Sequence, residues 1–98
     1  MSAGEGLHVV SSDALVDTVV VNEAGDVLGR VADVMLDVAA GRVAYAVLAH
    51  GGVLGLGEQH FLVPWQSLRL DETQECFVLD ATRESLASTF PVEAPMGL

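Results

Sequence analysis

Short apolar runs alternate with acidic or glycine-bearing breaks along this chain, and that rhythm predicts a succession of short strands. Thr18 to Val21 is β-branched throughout and reads as a strand. Asn22-Glu23-Ala24-Gly25-Asp26 follows it with residues that tolerate tight backbone geometry. In Arg42 to Ala49, Val43, Tyr45 and Val47 line one face while Ala44, Ala46 and Leu48 line the other. Both faces are apolar, so this strand is expected to be covered on both sides. His60 to Val63 is a further strand, stopped by Pro64, which has no N–H to give to a ladder. Glu75 to Leu79 is another, entered through the polar turn Asp71-Glu72-Thr73-Gln74.

Val27 to Val38 does not declare itself. Leu28, Val31, Ala32, Met35, Leu36 and Ala39 fall at helical spacing, and Gly41 could close a helix. Asp33 and Asp37 interrupt the apolar run, and Gly29 near its start would suit a bulged or sharply bent strand. Periodicity leaves helix and strand level. Elsewhere helical signals are brief. Ser11 followed by Asp13 starts a short turn, and Trp65 to Leu68 has room for one turn. Thr82 can cap a last short helix running to Thr89, with Glu84 in its first turn and Pro91 ending it. About five short strands with mostly antiparallel connections predict a mainly β fold: a small antiparallel β-barrel, closed or half-closed, with one or two short helical turns. One domain is expected over residues 11–90, with 1–10 and 91–98 as flexible termini.

Composition narrows the functional classes. Of 98 residues, 51% are apolar but only 5% aromatic, so the core is aliphatic. Folding a chain of this size hides about two thirds of its surface, enough for a small core without staples. Fourteen acids face four arginines and no lysine, a net charge of −10. Such a surface opposes nucleic acid and anionic membranes, which need clustered cations. It favours a basic protein partner through complementary fields. The single cysteine, Cys76, lies in the apolar run Cys76-Phe77-Val78-Leu79 and is expected to be a buried, inert thiol. Met1 to Val10 has neither a basic start nor a long apolar stretch, and no run is long enough to span a bilayer, so a cytoplasmic location is expected.

Four pieces in order resemble the PRC-barrel family: Asn22 to Asp37, Gly41 to Leu48, the loop Gly51-Gly52-Val53-Leu54-Gly55-Leu56-Gly57, and Phe61-Leu62-Val63-Pro64-Trp65. The similarity spans about residues 11 to 90 and is closest to the family's stand-alone type. The resemblance implies that Val27 to Asp37 is a strand. It brings no shared catalytic constellation, and the settings known for the family are assembly and docking. One departure is Asp17, which stands before the first strand where relatives often carry glycine.

No candidate chemistry converges. The glycine loop lacks the order of a dinucleotide fingerprint and the Gly-Lys-Ser or Gly-Lys-Thr of a P-loop. It also leads towards a strand, so no helix dipole would hold an anion. His8, His50 and His60 have no paired metal-ligand spacing, although His50 and His60 flank the glycine loop and Glu58 lies close by. The acids sit at strand edges and turns, where a solvated negative surface is expected, and no serine stands in a nucleophile elbow. No enzyme, cofactor or metal site is expected. Val53, Leu54 and Leu56 either form a contact patch or plug the barrel end, and Trp65 is either a core or lid residue or an interface anchor. A ten-kilodalton barrel has few interior positions for so many apolar residues, and the surplus points to self-association. A non-enzymatic interaction or assembly module, a homodimer through Val53, Leu54, Leu56 and Trp65, is therefore expected. The alternative is a small-ligand or metal-binding protein using the barrel mouth near the glycine loop.

Overall fold

β-branched and aliphatic residues fill the strands, and glycine, asparagine and aspartate make the turns between them. The computed structural model describes residues 9–51 and 57–92. In chain order the elements are helix α1 (Ser12–Leu15), strands β1 (Val19–Val21), β2 (Val27–Asp37), β3 (Arg42–His50) and β4 (Gln59–Pro64), a 3-10 turn (Trp65–Ser67), strands β5 (Leu68–Asp71) and β6 (Cys76–Leu79), and helix α2 (Leu86–Thr89). The strands form one six-stranded sheet in the order β4-β3-β2-β1-β6-β5. Every pairing is antiparallel except that of β1 with β6, which is parallel. The sheet curls into a half-barrel around a single apolar core.

Val20, Leu28, Val31, Leu48, Phe61, Val63, Phe77, Leu79, Leu86 and Phe90 make that core. Strands β1, β2, β3, β4 and β6 supply it together with Leu86 and Phe90, and Leu68 of β5 packs against it. Between β1 and β2 the register passes from Val20↔Gly29 to Val21↔Val27, leaving Leu28 as an extra residue. Between β2 and β3 it passes from Val31↔Leu48 to Asp33↔Val47, leaving Ala32 extra. Each bulge shifts the alternation by one position, so Leu28, Val31 and Val34 all reach the core side at spacings of three. That is why a strand carries helix-like periodicity here.

β3 lies between β4 and β2 in the sheet. Leu48 faces the core, and Val47 on the opposite face is also buried, at 1% exposure. The expected cover on both faces holds for Ala46 to Ala49, while Tyr45 is exposed. β5 is a strand that the apolar pattern did not reveal. Only four residues long, Leu-Arg-Leu-Asp, it alternates but is half charged. Thr82 does not cap α2: the helix begins after Ser85. Thr82 and Ser85 instead exchange reciprocal bonds, Thr82 N–H to Ser85 Oγ at 2.9 Å and Ser85 N–H to Thr82 Oγ1 at 3.1 Å. Glu84 thus belongs to that turn and not to the first turn of the helix.

Two local devices hold the chain's entry to the sheet. Asp17 adopts φ 72°, the left-handed geometry for which glycine is the usual residue. Its N–H donates to Val31 O at 2.7 Å, and its carboxylate accepts from Arg30 Nη1 at 3.1 Å. Asn22 is buried and organises the next turn. Its Oδ1 accepts Asp26 N–H at 2.9 Å, its own N–H donates to Asp26 O at 2.9 Å, and its carbonyl accepts Gly25 N–H at 3.0 Å. Asn22→Ala leaves the Asp26 N–H without its side-chain acceptor and is expected to cost about 1–2 kcal/mol, read as a lower urea midpoint at unchanged slope. A loss below a few tenths of a kcal/mol would mean that water replaces the amide.

Candidate functional site

Among the described residues, exposed apolar side chains are found in several places, two of which concern the candidate site. The first is the far end of the β2–β3 hairpin. β1 pairs with β2 only as far as Arg30, so the outer half of β2 projects beyond it. There Leu36 is 61% exposed and Val38 77% exposed, with Tyr45 also exposed. The turn that joins the strands is Val38-Ala39-Ala40-Gly41, with no polar side chain. Asp37 holds it, accepting Ala40 N–H at 3.0 Å through Oδ1 and Gly41 N–H at 2.8 Å through its carbonyl. Asp37 and Arg42 are register partners, so the charge at this end is locally balanced. A hollow of about 420 Å³ lies beside it, lined by Arg42, Val43, Tyr45, Pro64 and Trp65 among others.

The second place is the inner face of β5 and β6 where it meets α1. Val10, Leu15, Trp65, Leu68, Leu70 and Phe77 line an open groove there. Trp65 stands between the two places. It is half-buried, and its ring meets Phe77 edge-on with centroids 5.5 Å apart. It lines the hollows on both sides. Val53, Leu54 and Leu56, the other expected interface residues, lie outside the described residues, so the choice between contact patch and plug falls outside them too. The hairpin end was missed. Its signal was a turn made of valine and alanine, where turns ordinarily collect polar residues.

The mouth beside the glycine loop holds the remaining candidate residues. In the β3–β4 register Ala49 opposes His60 and His50 opposes Gln59, so the two histidines occupy opposite faces of the sheet. His50 Nδ1–H donates to the Leu28 carbonyl, and the ring lies 6.3 Å from that of Phe61. Glu58 accepts from Arg30 Nη2 at 3.3 Å and lies 3.2 Å from His60 Nε2. His8 lies outside the described residues. Among the described residues no three His, Cys, Asp or Glu side chains gather in a way that could hold a metal ion. Cys76 is buried as a free thiol. No helix among the described residues is long and apolar enough to cross a membrane.

A curled, mixed six-stranded sheet with two short helices defines a small β half-barrel. The chain belongs to the PRC-barrel domain family, which matches residues 8–86. No curated protein matches it.

Proposed function

We propose that this chain is an assembly module that forms a homodimer through the projecting end of the β2–β3 hairpin. The observation that carries this is the exposure of Leu36, Val38 and Tyr45 at one end of an arm. Apolar side chains exposed on both faces of a projecting arm are costly to leave in water and mark a contact. A second copy is the simplest partner, because a two-fold axis lets the same patch meet itself. The Asp37–Arg42 pairing supports this choice: each copy brings both signs, so a two-fold contact can oppose unlike charges. A stable contact of this type hides about 800 Å² on each partner. Trp65, beside the same hollow, extends the patch.

Light scattering on the eluting protein is expected to give twice the chain mass, and the double variant Leu36→Ser, Val38→Ser is expected to give the monomer with unchanged thermal unfolding at low protein concentration. A monomer for the unmodified chain, or a dimer indifferent to both substitutions, removes the proposal.

A second reading has its own observation. Arg30, Ala49, His50, Glu58 and Arg83 line an open cleft of about 650 Å³ at the mouth beside the glycine loop. His50 donates through Nδ1, which leaves Nε2 as a ring acceptor for a small polar ligand. This reading predicts chemical-shift changes confined to those residues on titrating such a ligand.

A further inference from the structure

Permanent positive charge is scarce in this chain, with four arginines and no lysine against fourteen acids. Arg30 ion-pairs with Asp17 at 3.1 Å and with Glu58 at 3.3 Å, and Arg69 with Glu23 at 3.4 Å. Arg42 lies across the ladder from Asp37. Arg83 makes no ion pair among the described residues. It donates through Nε–H to Val27 O at 3.2 Å.

That bond sets how the guanidinium can be used. Arginine offers a carboxylate two forks, one of Nε with an Nη and one of the two Nη groups. The Val27 carbonyl occupies Nε, so the fork of Nη1 and Nη2 is the one left open. Arg83 lines the cleft of about 650 Å³ at the mouth. The charged side chains of that lining are Arg30, Glu58 and Arg83, two cations to one anion in a chain of net charge −10. Glu58 already faces Arg30 and His60. The remaining lining includes Val19, Val27, Leu28 and Ala49. Val19 is 42% and Val27 53% exposed, a further pair of apolar side chains left in water.

From this juxtaposition we infer that the mouth cleft binds a small monocarboxylate with an apolar body. The carboxylate takes the open fork of Arg83 in two parallel charge-assisted hydrogen bonds, and the hydrocarbon lies over Val19 and Val27. The inference rests on the second reading above and names its ligand class. The charge count selects a single negative charge. One guanidinium in the cleft is without an ion pair, and a phosphate dianion would bring a second charge towards Glu58. An anion with no apolar part would leave Val19 and Val27 in water and forgo their burial.

The probes are isocaproate, its neutral amide and acetate, each titrated into the full chain at constant ionic strength. Backbone amide shifts and the Arg83 Nε–H resonance are followed. Expected for isocaproate is saturable binding with shifts centred on Ala49, His50 and Arg83. The amide and acetate are each expected to bind about tenfold more weakly or worse. Arg83→Gln is expected to weaken isocaproate by about tenfold or more and to leave the amide unchanged. Arg83 is exposed, and the variant's spectrum away from the cleft reports that the fold is kept. Equal binding of acid and amide overturns the carboxylate assignment while the mouth stands as a small-ligand cleft. Isocaproate binding indifferent to Arg83→Gln overturns it as well, since the anion is then held elsewhere. Acetate as tight as isocaproate overturns the apolar part. No saturable shift with any probe removes the inference and the second reading together. The hairpin-end dimer is untouched by every arm, because Leu36, Val38 and Tyr45 do not line the cleft.

Discussion

Gly29→Ala is expected to destabilise the fold by about 3 kcal/mol or more, at the upper end of what overpacking a filled interior costs. A Cβ at Gly29 would stand 2.0 Å from the Ala49 carbonyl oxygen and 3.0 Å from Leu48 Cδ1. The first of those atoms is backbone in β3, the strand that pairs with β2 along its length, so it cannot swing aside as a side-chain tip would. Relief requires parting two strands at the bulge that places Leu28 in the core. A domain of this kind has about 5–15 kcal/mol of stability in total, so the loss is a large share. Thermal unfolding followed by far-ultraviolet circular dichroism is expected to fall by about 12–24 °C. Gly25→Ala is the control. Its φ of 90° disfavours a side chain, but no atom lies within 4 Å of the added carbon. It is expected to cost about 1–2 kcal/mol, the conformational penalty alone. If the two substitutions cost the same, the approach of β3 to Gly29 is not what constrains that position.

The same bulges explain what was legible in the chain and what was not. β4, whose register is uninterrupted, was readable with Pro64 as its end, and β3 was readable because its apolar run covers both faces. β2 was not, because bulges at Leu28 and Ala32 put its core residues three apart, a spacing that a helix also produces. The family resemblance resolved it, since order and spacing of whole segments carry information that one window does not. The left-handed backbone at Asp17 was not legible from the aspartate itself, because that geometry is one glycine adopts more readily. β5 was hidden because Leu-Arg-Leu-Asp is too short for its alternation to stand out from a polar neighbourhood. The parallel β1–β6 pair was hidden for another reason: partners far apart in sequence leave no local turn signal. Surfaces were the least legible. Exposure of Leu36 and Val38 depends on β1 ending early, and the β5 groove depends on where the sheet stops curling. Neither is a property of the residues involved.

Phe61→Ala carries the other large effect, about 3–5 kcal/mol. The protein has few wide side chains, with three phenylalanines among its 98 residues, and Phe61 is the largest of the fully buried set. It is 1% exposed and sits opposite Leu48 across the β3–β4 pair. Val92 bridges to it from the other side. β3 on one flank and the Val92 bridge on the other therefore bracket it, and the sheet cannot close over the space that the ring leaves, which sets the cost near the upper part of that range. Leucine fills most of the volume and keeps the site apolar, so Phe61→Leu is expected to recover all but about 1.5 kcal/mol. Urea unfolding would show a lower midpoint for alanine with the slope retained, because the unfolded chain exposes the same surface. The Val92 bridge adds a second readout: backbone amide exchange at Leu62, whose N–H is held by Pro91, should quicken in Phe61→Ala beyond the change expected from global stability alone. A loss under about 1.5 kcal/mol with Leu62 exchange unchanged would show that the core repacks around the gap, and that the C-terminal segment is not seated by this ring.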